Sequence, residues 1–207
     1  MALIMKNVAC VHVSNQHRPY KIDRKKISHI VTEISRRLGV AQYEICLQFV
    51  SPRKMQALNK KYRHQDKSTD VLSFPQYTWK RALKVKSTPT SAVKILNPLP
   101  LGDVIICADE AENNAEELGH TLDKEVCFLL VHGILHLVGH DHMKPTEKKR
   151  MFAEQRKLMR VFSGGKSKEP AWTQCIKPNK SPPTRKKTKI KANSPKAAKH
   201  KKSTGRS

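Results

Sequence analysis

The sequence has no apolar run near the roughly 18 residues needed to cross a bilayer. Its start, MALIMKNVAC, lacks the basic region, long apolar stretch and small-residue cleavage site of a secretory signal, and it is not the Arg-rich amphipathic stretch of a mitochondrial presequence. There is no C-x-x-C pair and no internal repeat. The five cysteines (Cys10, Cys46, Cys107, Cys127 and Cys175) are odd in number and widely spaced, and most sit in apolar runs as small hydrophobes do. Together these absences exclude a membrane-spanning protein and a disulfide scaffold, and point to a reducing, cytoplasmic setting. Acidic residues are also scarce, with 17 Asp+Glu against 41 Lys+Arg and a formal net charge of +24. From Ser163 onward there are 14 basic residues and one acid, so the tail carries +13 and the first 162 residues still carry +11. A basic body beneath a basic tail favours a polyanionic partner, and nucleic acid is the commonest.

With 207 residues the chain has room for one domain and an extension. ALIMKNVACVHV reads as a strand. DRKKISHIVTEISRRLGV spaces Ile27, Ile30, Val31, Ile34 and Leu38 as an amphipathic helix, capped by Asp23 and stopped by Gly39. YEICLQFV is a second strand. SPRKMQALNKKYR is a helix with Ser51 at its cap and Pro52 at its first position. STDVLSFP is a strand ended by Pro75, and residues 76–100 read as an exposed loop carrying Pro89, Pro98 and Pro100. LGDVIIC is a further strand, and ADEAENNAEELGH a helix stopped by Gly119. Thr121 caps the next helix, with Asp123 and Glu125 in its first turn, where the dipole favours acids. Past Glu125 this helix is apolar on nearly every side, which places it in the middle of the domain. PTEKKRMFAEQRKLMRVF is a last amphipathic helix. The expectation is an α+β (mixed α/β) fold over residues 1–162, one small mixed sheet packed with helices. Residues 163–207, rich in Lys, Pro and Ser, read as a disordered basic tail in which only Trp172 and Ile176 offer anything to dock.

The buried central helix contains HGILHLVGHDH, residues 132–142. His132 and His136 are four apart and share one helix face. Gly139 can end the helix and turn the chain, bringing His140 or His142 to the same point. Three imidazoles and an open position make a catalytic zinc layout. A hydrogen-bonded core histidine is the blander reading of one such residue, but two in an apolar helix would each bury a ring needing its own partner. The spacing is that of the H-E-x-x-H-x-x-G-x-x-H zinc proteases, which selects His142 over His140 as third ligand. Gly133 stands where those enzymes place the glutamate general base, so the metal cage is present without the protease base.

HGILHLVGHDH resembles the H-G-x-L-H-L-x-G-H/Y-D-H signature of the YbeY family of endoribonucleases. NKKYRHQDKSTDVLSFP is similar to that family's Y-R-x-x-D-x-x-T-D-V-L-S-F-P segment, and LGDVIIC to its L-G-D-I-x-I strand. The resemblance implies a single-strand-specific endoribonuclease that processes ribosomal RNA, especially the 3′ end of the small-subunit RNA, and serves ribosome quality control. It implies one Zn2+ ion on His132, His136 and His142, and a functionally important arginine at Arg63 that holds phosphate. The expected partners are single-stranded and ribosomal RNA, with ribosomal proteins or small-subunit assembly factors, and neither membrane nor specific DNA. Asp141, next to the third ligand, is a candidate catalytic acid–base group or an orienting partner of an imidazole. Asp70 and Asp103 fall in the matched segments, where capping turns is their simpler role. Two rivals remain. One is a zinc peptidase, which Gly133 opposes. The other is a ribosome-associated RNA-binding protein with a structural zinc, which the three-ligand count opposes. Three imidazoles also suit nickel or copper.

Overall fold

The computed structural model describes residues 9–79, 98–164 and 169–179. Strands β1 (Cys10–Asn15), β3 (Glu44–Val50), β5 (Pro100–Cys107) and β4 (Val71–Pro75) form one sheet in the order β1-β3-β5-β4. The first three run parallel and β4 pairs antiparallel with β5, so the sheet is mixed. Helix α1 (Arg24–Arg37) links β1 to β3, and α2 (Pro52–Arg63) links β3 to β4. Helices α3 (Ala108–Leu118), α4 (Leu122–Leu137) and α5 (Pro145–Phe162) follow β5. This is the expected α+β architecture.

Caps define the helix starts. Asp23 accepts from the Lys26 N–H at 3.0 Å, while Ser51 and Thr121 accept from Lys54 and Lys124 at 3.3 Å. Gly119 ends α3 in the left-handed region at φ 67. On one face of the sheet, Ile45, Leu47, Phe49, Val104 and Ile106 pack against the apolar sides of α1 and α4. On the other face, α2 covers a small second core of Val50, Met55, Leu72, Ile105 and Cys107. Helix α4 is buried nearly all round, as its composition requires. No helix among the described residues is long and apolar enough to cross a membrane.

Three features depart from the sequence reading. Residues 2–8 of the first predicted strand and 80–97 of the predicted loop lie outside the described residues. The start of that loop is packed rather than exposed, because Trp79 donates its Nε1–H to the Leu137 carbonyl at 2.8 Å and adjoins the core with Tyr77. Two three-residue strands were too short to show a period: β2 (Tyr20–Ile22) pairs antiparallel with β6 (Ile176–Pro178). Strand β6 belongs to the stretch read as tail. The Asp123 carboxylate accepts the Gln174 and Ile176 N–H groups at 3.0 and 2.9 Å, and Trp172, Cys175 and Ile176 are buried in the main core. A short apolar segment was outweighed by the Lys, Pro and Ser around it. Truncation after residue 162 is therefore expected to remove at least about 3 kcal/mol of stability, the scale of deleting a buried Trp. Truncation after residue 179 leaves the packed segment whole. Urea midpoints of the two truncated chains check this, and equal midpoints would sink it.

A three-histidine cleft along the edge strand

Strand β4 is an edge strand, and a cleft of about 460 Å³ runs along it. One wall comes from α4 and α5: Phe128, His132, His136, Lys148 and Phe152. The rest of the lining includes Arg63 at the end of α2, Thr69 and Asp70 in the loop into β4, and Ser73 of β4 itself.

His132 and His136 project from one face of α4, with their Nε2 atoms 3.1 Å apart. Val138 caps the helix, and Gly139 turns the chain at φ 85, a backbone region in which a side chain is strained. The turn carries His142 back, so its ring centroid lies 5.5 Å from that of His132 and 5.0 Å from that of His136. One nitrogen from each of the three rings falls within 4.8 Å of the others. His140, the other histidine within reach of the turn, does not join the group.

The environment favours the neutral form of the two rings on α4. Burial lowers the pKa of His132 and, with the neighbouring His132 and His142 rings, pushes that of His136 down to about 4. Burial lowers His140 as well. The tautomer of His132 follows from its partner. Its Nδ1 lies 3.4 Å from Oε1 of Gln155, an atom that can only accept, so Nδ1 carries the hydrogen and Nε2 turns a lone pair to the cleft. Gln155 is 2% exposed and donates its own amide to the Phe128 carbonyl at 3.5 Å. Sequence reading passed over it. The available signal was a glutamine among Met151, Leu158 and Phe162, the buried stripe of α5.

Arg63 is the last residue of α2, which His64 ends in the left-handed conformation at φ 57. Buried Asn59 ties down the loop that follows, donating to the Lys67 carbonyl at 2.8 Å. Arg63 is exposed and lines the same cleft as the three histidines. Asp70 also lines the cleft, yet its carboxylate is engaged: Oδ1 accepts from the Val71 N–H and the Thr69 hydroxyl, and Oδ2 from Asn114. Asp141 is exposed and lies outside the cleft lining, with Oδ1 accepting the His142 N–H at 2.7 Å. Lys148, which the sequence did not single out, adds a second cation to the cleft.

Three converging imidazole nitrogens suit a first-row transition metal. The 3.1 Å gap between two nitrogens is close to the roughly 3.3 Å edge of a tetrahedron with Zn–N bonds of about 2.05 Å. The donor set therefore fits a metal ion with a fourth position open to the cleft.

Comparison with known proteins points the same way. A family model described as Endoribonuclease YbeY matches residues 12–163. The Endoribonuclease YbeY of Staphylococcus carnosus is 40% identical over 116 residues, 56% of this chain and 70% of that protein. That of Lysinibacillus sphaericus is 40% identical over 124 residues, 59% of this chain and 74% of its own length. A solution structure of TM1509 from Thermotoga maritima covers 72% of this chain at 25% identity with a TM-score of 0.46, too distant a likeness to inform the site.

Proposed function

Since the chain belongs to the endoribonuclease YbeY family, we propose that it is a zinc-dependent endoribonuclease acting on single-stranded RNA. Its place is in ribosomal RNA processing, at the 3′ end of the small-subunit RNA, and in ribosome quality control in the cytoplasm. The observation that carries the reading is one cleft lined by three converging imidazole nitrogens and by a guanidinium.

In this reading His132, His136 and His142 hold one zinc ion. When bound, the ion acts as a Lewis acid that lowers the pKa of a water and polarises a phosphoryl oxygen. Arg63 takes two phosphate oxygens with its planar fork and offsets charge developing on phosphorus. Lys148 draws the chain into the cleft as a point charge. Gln155 fixes the His132 tautomer and ring plane. Asp141 positions His142 by holding the turn, a role its bond to the His142 N–H supports over that of general base. The basic body meets the RNA backbone, so binding weakens with salt. Residues beyond 179 add non-specific affinity for RNA or for small-subunit assembly partners.

Arg63→Ala separates this reading from a zinc-stabilised RNA-binding module. Turnover on an unstructured RNA is expected to fall about 100-fold or more, the scale of losing one oriented donor to a transition-state oxyanion. Bound metal should not change, since Arg63 is not among the three converging histidines, and Arg63→Lys should restore little because one point charge cannot grip two oxygens. Undiminished RNA cleavage by Arg63→Ala, or cleavage of casein in place of RNA, would overturn the assignment.

A further inference from the structure

A second group of metal-binding side chains sits at the opposite edge of the sheet. Cys10 and His12 alternate along β1, so they point to the same face. The parallel register sets Cys10 beside Glu44 and His12 beside Cys46, which puts all four residues on one face. It is the face turned away from Ile45, Leu47 and Phe49, and α2 covers it only at its far end, around Val50, Ile105 and Cys107. Unlike Cys107, Cys127 and Cys175, which are buried as small hydrophobes, Cys10 and Cys46 are half-exposed.

The spacings within the group are those of a coordination shell. Cys10 Sγ lies 3.5 Å from His12 Nε2 and 3.9 Å from Glu44 Oε2, and His12 Nε2 lies 3.6 Å from Glu44 Oε1. Tetrahedral zinc with Zn–S of about 2.3 Å and Zn–N or Zn–O of about 2.1 Å has donor-to-donor edges of roughly 3.4–3.6 Å. The Cys46 thiol is 3.7 Å from Glu44 Oε1 but stands outside the group of Cys10, His12 and Glu44, whose ligand atoms all lie within 4.8 Å of one another. Asp103 stands next to Cys46 in register on β5, adding a second carboxylate to the same face. In a chain with 41 basic residues, no Lys or Arg pairs with Glu44 among the described residues.

We propose that Cys10, His12 and Glu44 form a second zinc site, with Cys46 beside them on the same face of the sheet. Mixed sulfur, nitrogen and carboxylate donors suit zinc. The ion would clip β1, the outermost strand of the sheet among the described residues, to β3. The site shares no residue with the histidine cleft and does not depend on its assignment.

Zinc analysis of the full chain after exhaustive dialysis is expected to give two ions per chain. Cys10→Ser/Cys46→Ser and His136→Ala should each keep one. Cobalt added to the metal-free protein should give a thiolate-to-metal charge-transfer band that survives His136→Ala and vanishes in Cys10→Ser/Cys46→Ser. Should the double variant fail to fold, Glu44→Gln and His12→Asn provide the test, each weakening the cobalt band's titration at least about tenfold, since even partners outside the coordination shell cost that much. One zinc per chain, removed by His136→Ala, would overturn the proposal. So would a cobalt spectrum free of thiolate absorption, a cobalt titration unmoved by Glu44→Gln and His12→Asn, or a disulfide between Cys10 and Cys46 in protein prepared under reducing conditions.

Discussion

His136→Ala is expected to lose one bound zinc ion and RNA cleavage together, with turnover falling at least about 1000-fold while the fold survives. The size follows from what the ion supplies. Lewis-acid stabilisation of the reacting phosphate contributes several kcal/mol, and each 1.36 kcal/mol is a factor of ten in rate. Survival of the fold follows from the burial of this ring. His136 is neutral, its pKa pushed down to about 4, so replacing it removes no charge from the interior. Alanine is also the best helix former. His132 keeps its bond to Gln155 in the variant, so the rest of the constellation stays in place. The paired measurement is metal content by mass spectrometry beside cleavage of an unstructured RNA, with Arg63→Ala as the control that keeps metal and loses rate. Full activity in a His136→Ala protein free of zinc at the cleft would end the metal-dependent reading.

What could be read in advance was local. Asp23, Ser51 and Thr121 cap their helices because a cap bond reaches only three residues ahead. The positions of His132, His136 and Gly139 needed only the helix repeat and one turn, so the convergence of three rings was legible in eleven residues. The α+β class followed from the order of periodic segments. What was missed depends on contacts between distant parts of the chain. Gln155 meets His132 across the packing of α5 on α4, and nothing near residue 132 announces it. Strand β6 finds β2 more than 150 residues away, and three residues show no alternation. The group around Glu44 exists only once the parallel register of β1 and β3 is known. Lys148 enters the cleft through the way α5 lies across α4.

Gly133→Glu, the change that would complete the zinc-protease pattern, is expected to yield no folded protein. In the sequence Gly133 is a missing base; in the fold it is a point of closest approach between α4 and the sheet. A Cβ there would sit 2.7 Å from Val104 Cγ1 and 3.1 Å from Ser73 Oγ. Val104 is fully buried and its branched side chain has little freedom to swing aside. For Gly133→Ala two effects oppose each other. Overpacking costs about 1–3 kcal/mol, and the gain in helix propensity returns about 1 kcal/mol. The net is a modest loss, read as a few degrees in melting temperature. For glutamate the same clash is joined by a carboxylate in apolar surroundings, which costs several kcal/mol more. The sum is comparable with the whole stability of a domain, about 5–15 kcal/mol. A glutamate at this position is therefore disfavoured by shape, since the sheet occupies the space that its stem would need. Soluble yield, circular dichroism and thermal melting of Gly133→Ala and Gly133→Glu decide the matter. A Gly133→Glu chain that melts like the wild type would show that α4 does not press on β5 as described.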